Sequence, residues 1–145
     1  MQAQAQISKV EAKGELLLEI HGKMVSMTIK ELSPLGVKLE INDEGKVEGR
    51  YNASRNATVS IFQKLDGTFE WESKEIHSTA EGDFVLAAGR GTGRFTGPGK
   101  GEGEGELSFM TTSPRLSWIN NTKGWLESSV GSTTGATNLR VYAKK

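Results

Sequence analysis

The chain has 145 residues, no cysteine, and 18 basic side chains balanced by 18 acidic ones. That length suits one domain, residues 1–145, with a core of its own. Zero formal net charge argues against nucleic acid or an anionic membrane as partner, since both need a cationic excess to displace counterions. The missing cysteine excludes disulfides, thiol nucleophiles and thiolate metal sites.

Met1 to Gln6 is polar and carries no apolar signal-peptide core, and the longest apolar run is Phe84 to Ala88, far short of the roughly 20 residues that cross a bilayer. The expected compartment is cytoplasmic. The glycosylation sequons at Asn52, Asn56 and Asn120 are read as incidental on that basis.

Short alternating segments then follow one another, separated by turn residues. Leu16, Leu18 and Ile20 alternate before a turn expected at His21-Gly22-Lys23. Lys23 to Glu31 fits both a strand and a helical stripe, and its β-branched Val25, Thr28 and Ile29 favour the strand. Ser33-Pro34-Leu35-Gly36 ends it. Val37, Leu39 and Ile41 share a face up to a turn expected at Asn42-Asp43-Glu44-Gly45, and Lys46 to Tyr51 follows.

Val59 and Ile61 precede Leu65-Asp66-Gly67, a hairpin signal because glycine accepts the positive φ such turns need. Phe69, Trp71, Ser73, Glu75 and His77 then occupy one face of a long strand. Further turns are expected at Ala80 to Asp83, at Thr96 to Gly99 and at Asn121 to Gly124, with a Gly/Ser/Thr loop from Gly131 to Thr137. A segment from Pro114 to Ile119 and strands at Trp125 to Val130 and Leu139 to Ala143 complete the pattern. The prediction is an all-β chain of about eight to ten strands, an antiparallel up-and-down β-barrel, with a β-sandwich as the alternative.

The glycine ladder has two readings. From Gly89 to Gly93 and from Gly97 to Gly105 every second residue is glycine, so a strand there has one bare face. Such a face admits a ligand ring or partner backbone, or it relieves a tightly curved strand. The even spacing matches neither the dinucleotide fingerprint nor the P-loop, so nucleotide binding through either is rejected.

Catalytic candidates are few. Glu75 and His77 continue the face of Phe69 and Trp71, which predicts an acid/base pair at the mouth of a cavity with an aromatic wall, or else a solvated pair where the strand leaves the core. The aspartates Asp43, Asp66 and Asp83 fall at predicted turns, so no Ser-His-Asp triad is expected. A metal site would need His21, His77 and a carboxylate to converge, which nothing in the spacing requires, and neither metal nor cofactor is expected. Trp118 and Trp125 are read as core anchors or a ligand-stacking pair, and Arg115 as a contact for an anionic ligand group.

Phe109-Met-Thr-Thr-Ser-Pro-Arg115, Ser117-Trp-Ile-Asn120 and Leu139-Arg-Val-Tyr142 resemble a family of uncharacterised small bacterial and fungal β-barrel proteins. That family shows Phe-x-Thr-x-Pro, then Trp-Leu-Asn, then a strand with Val-Tyr. Here Ser113 is an extra residue before the proline and Ile119 replaces the leucine. The glycine-rich hairpin is similar to that of allene-oxide-cyclase-like barrels. The resemblance implies a barrel and carries over no catalytic residue.

Three functions fit this sequence: a barrel holding a small apolar or aromatic ligand against Phe69, Trp71, Arg115 and Trp118, a cofactor-free cyclase or isomerase using Glu75 and His77, and a homo-oligomeric module using the glycine face or a barrel flank.

Overall fold

The computed structural model describes residues 13–98, 100–131 and 135–145. The polar start of the chain, Gly99, and the centre of the Gly131–Thr137 segment lie outside the described residues. Eight strands pair antiparallel in sequence order and close into a barrel: β1 (Lys13–Ser33), β2 (Gly36–Gly49), β3 (Ala53–Lys64), β4 (Thr68–Ser78), β5 (Phe84–Gly97), β6 (Lys100–Met110), β7 (Lys123–Gly131) and β8 (Ala136–Lys144). The Pro114–Ile119 segment is a 3-10 helix, Pro114–Asn121, which begins on a proline whose fixed φ suits a first helical turn.

Two predicted turns are strand instead. β1 runs straight through His21-Gly22-Lys23, and β2 through Asn42 to Gly45. The glycines serve close approach rather than a bend. Gly22 lies opposite Gly45, and a Cβ on Gly22 would sit 2.8 Å from both Asp43 Oδ1 and Thr137 Oγ1. The chain reverses later, around Arg50 to Asn52. The ambiguous Lys23 to Glu31 segment is strand, paired with β2 through two bulges.

The glycine ladder is a packing surface for the chain's own aromatics. A Cβ on Gly105 would lie 2.7 Å from Trp71 Cζ2, and one on Gly89 3.1 Å from Trp71 Cζ3, while Phe69 fills the space over Gly93. Trp71 pairs with Gly91 and Phe69 with Gly93 across the β4–β5 ladder. Below these rings Leu18, Ile20, Val47, Val85, Leu107, Phe109, Leu126 and Val141 fill the interior.

The two ends of the barrel differ. At one, Leu116 and Ile119 of the 3-10 helix are buried against the core, and Asn120 holds the helix by exchanging two hydrogen bonds with the Thr111 backbone. At the other, β1 runs on beyond the end of its pairing with β8 and stays paired with β2 as far as Ser33. No helix among the described residues is long and apolar enough to cross a membrane.

Candidate functional site

The strand that carries Phe69 and Trp71 also carries Ser73, Glu75 and His77 inward, as the alternation predicts. Glu75 and His77 are not at a mouth, and they are not solvated. Both are at least 95% buried, toward the end that the 3-10 helix closes. β3 places Arg55 opposite His77, and β2 places Asp43 opposite Ala57, one step along the same inner face.

These side chains form one continuous network. Arg55 Nε donates to Glu75 Oε1 at 2.7 Å, and Arg55 Nη1 donates to Asp43 Oδ2 at 2.9 Å. Ser73 Oγ donates to Glu75 Oε2 at 3.1 Å, and Thr137 Oγ1 to Asp43 Oδ2 at 2.9 Å. His77 Nε2 lies 3.0 Å from Glu75 Oε1, and Tyr51 Oη lies 2.6 Å from His77 Nδ1. An ionised carboxylate only accepts, so Nε2 carries a proton. In the neutral ring Nδ1 is then an acceptor, and the Tyr51 hydroxyl donates to it.

Electrostatics keep the carboxylate and the guanidinium charged and the phenol protonated. Burial pushes the Glu75 carboxyl up, but the His77 hydrogen bond and the Arg55 cation outweigh it and hold the group down at about 2. Burial opposes the Arg55 charge, and the carboxylates of Glu75 and Asp43 more than offset that. Burial, with the Glu75 charge behind it, pushes the Tyr51 phenol far up, so it stays protonated. Asp43 Oδ1 is buried without a hydrogen-bond partner.

The other predicted site residues are dispersed. Phe69 and Trp71 lie toward the open end. Arg115 and Trp118 are on the 3-10 helix at the closed end, so the four do not form one site. Arg115 is exposed and paired with Asp83 at 2.6 Å and Glu81 at 3.4 Å. Trp118 has the Arg50 guanidinium 5.6 Å from its ring centre. His21 is exposed on the outer wall, bonded to Asn138 at 2.8 Å, and does not approach His77. Among the described residues no group of three or more His, Asp and Glu is placed to hold a metal.

Asp43, Arg55 and Tyr51 were not singled out by the sequence. Two of them were within reach of it. Asp43 continues the alternation of Val37, Leu39 and Ile41, and Arg55 is in phase with Val59 and Ile61, so both were due to face inward.

At the open end the inner face is largely apolar, with Gln63 between Val37 and Phe69, and only partly covered. Ile41 and Leu39 of β2 stand beside Val59 and Ile61 of β3, with Trp71 opposite Ile61. Across the β1–β2 ladder, Met27 faces Ile41, Ile29 faces Leu39, and Leu32 faces Val37, so all share this wall. A concavity of about 880 Å³ is lined by outward-facing Phe62, Arg90, Trp125 and charged side chains, and also by Leu39, Ile61 and Trp71 of the inner face.

No protein-family model matches the chain, and no curated protein matches it. Solved structures do. A protein of unknown function from Clostridium acetobutylicum is 19% identical, with 90% of this chain and 97% of that one covered at a TM-score of 0.78. A β-barrel-like protein from Acinetobacter baumannii is 17% identical over 90% of this chain and 94% of that one, at 0.74. An enzyme from Penicillium herquei is 15% identical over 90% and 95%, at 0.67. At these identities the likeness establishes the shared barrel fold and nothing finer.

Proposed function

We propose that the protein is a binding barrel that takes a small apolar or aromatic molecule at its open end, above the Trp71 ring. The observation that supports this reading is the continuous apolar wall of Met27, Ile29, Leu39, Ile41, Ile61 and Phe69, left partly uncovered beside a packed and polar-bonded lower core. Exposed apolar surface gathered in a concave position is the usual mark of a ligand site. Arg115 and Trp118 have no part in it, because they belong to the other end.

The test is a thermal-shift and tryptophan-emission screen of fatty and aromatic ligands. A true ligand raises stability by mass action, about 2.7 kcal/mol at a hundredfold excess over its dissociation constant. Met27→Glu, which puts a charge on the wall at an already half-exposed position, abolishes the shift. Thr28→Glu, on the opposite face, retains it. Equal retention in both variants, or equal loss, rejects this wall as the site.

A second reading, a cofactor-free cyclase or isomerase, draws on the Tyr51–His77–Glu75 chain, in which a phenol hydroxyl rests on an imidazole backed by a carboxylate. The Penicillium herquei relative, being an enzyme, is in keeping with it. It requires a substrate to reach a tyrosine that is 4% exposed. A ligand from the screen that wild type converts and Tyr51→Phe does not would establish it.

A further inference from the structure

Closing a sheet into a barrel removes its edges, and here the barrel closes but β1 extends past the closure. β8 pairs with β1 only from Lys13 to Lys23, and the Met24 amide makes one last bond to the Gly135 carbonyl. β2 stays paired with β1 as far as Ser33. From Val25 to Ser33, therefore, β1 has a strand neighbour on one side and, among the described residues, none on the other. Every residue of this stretch is exposed, and Val25, Met27, Ile29 and Leu32 are each more than half exposed. Natural proteins blunt such edges or use them.

We propose that this edge pairs antiparallel with the same edge of a second copy of the chain, about a two-fold axis between Lys30 and Glu31. In that register Lys30 of each copy stands opposite Glu31 of the other, twice over. Ile29 stands opposite Leu32, again twice, and Thr28 opposite Ser33. Directly opposed residues share a face of the sheet, so Ile29 and Leu32 must lie on the same side for this to work. Three residues apart on a regular strand they would not. The bulge between Ile29 and Glu31 supplies the missing half-period, and both side chains oppose inner-face residues of β2, Leu39 and Val37. A register centred on Ile29 would instead set Glu31 against Met27, a charge against an apolar side chain. The self-complementary register is the one that matches charge with charge and apolar with apolar.

Ile29 belongs to both this edge and the ligand wall, but the inference does not depend on the ligand reading, because its test reads two charges and contains no ligand. The experiment is sedimentation equilibrium on wild type, Lys30→Glu, Glu31→Lys, and an equimolar mixture of the two variants. Both positions are exposed; Glu31 has one intrachain ion pair, 3.7 Å to Lys38, which leaves the fold little affected. Circular dichroism confirms that each variant keeps the barrel. Wild type dimerises. Each variant alone places like charges opposite one another at two points and dimerises about tenfold more weakly. In the mixture the two adjacent acids of one variant meet the two adjacent lysines of the other, so both cross-strand ion pairs return and wild-type affinity is recovered as a heterodimer. Wild type that stays monomeric up to about 1 mM, where even weak association registers, overturns the proposal. So does a dimer indifferent to either substitution, or a mixture that fails to recover, since no other register brings these two positions together.

Discussion

Tyr51 and His77, 26 residues apart in the chain, are joined by a 2.6 Å hydrogen bond inside the closed end of the barrel. The bond ties the β2–β3 turn to the last inward side chain of β4, and through Glu75 and Arg55 it continues to Asp43 on β2. A polar chain of this length in a β-barrel interior specifies register. A two-residue slip of any one of β2, β3 or β4 would leave buried charges without partners.

Removing the phenol hydroxyl tests the first link. Tyr51→Phe keeps the ring packed and leaves His77 Nδ1 buried with no donor, a loss of about 1–3 kcal/mol in urea denaturation. The pH dependence carries a second signature. The folded-state pKa of Tyr51 is raised above its ordinary value of 10.0. Its contribution is therefore fully present below pH 10 and is lost as pH climbs beyond that, when the unfolded chain ionises and the folded one does not. The difference in stability between wild type and Tyr51→Phe shrinks above pH 10. A difference that stays constant to pH 11 contradicts the buried phenol.

The glycine ladder makes the second prediction. Gly105→Ala drives a methyl into the Trp71 ring and the Arg90 carbonyl, and overpacking of that kind costs about 1–3 kcal/mol. Gly97→Ala meets nothing within 4 Å and changes stability by a few tenths at most. Thermal melts of the two variants give the contrast. If the ladder existed only to relieve strand curvature, both would behave alike.

The fold was legible because every strand carries period-two alternation and most turns carry glycine or proline. The misplaced turns share one cause. Gly22 and Gly45 look like turn residues, yet they sit opposite each other in mid-strand, where two backbones approach too closely for a side chain. Asp43, in the same Asn42 to Gly45 segment, looked like a turn aspartate for the same reason, and the buried ion pair with Arg55 was hidden with it. Alternation placed Glu75 and His77 on the inward face correctly. It said nothing of depth, because whether an inward polar pair lies at a mouth or beneath a cap depends on a 3-10 helix that folds over the barrel end from more than 35 residues downstream. Tyr51 follows the alternation of no strand, since it lies in a turn.

Arg55 makes the last prediction, because it is bonded to both buried carboxylates, Asp43 and Glu75. In wild type, Glu75 is held at about 2 against an ordinary 4.5. A depressed folded-state value stabilises above 4.5 and is lost as pH falls from there toward 2, so wild type weakens in acid and is flat from pH 5 to 7 with respect to this group. Arg55→Met keeps much of the side-chain volume and removes the charge. Asp43 and Glu75 are then buried without their cation, and the loss at pH 7 is about 3–5 kcal/mol. The pH dependence changes as well. Glu75 loses the Arg55 charge and keeps the His77 hydrogen bond, so burial pushes its folded-state carboxyl up from about 2. The stability that wild type loses through this group as pH falls below 4.5 is therefore smaller in the variant, and the gap between the two proteins narrows in acid. Adding Asp43→Asn removes one of the two stranded charges and recovers part of the loss. Urea midpoints at pH 3, 5 and 7 for the three proteins decide the matter. A gap between wild type and Arg55→Met that is as wide at pH 3 as at pH 7 shows that Glu75 does not depend on Arg55 for its charge.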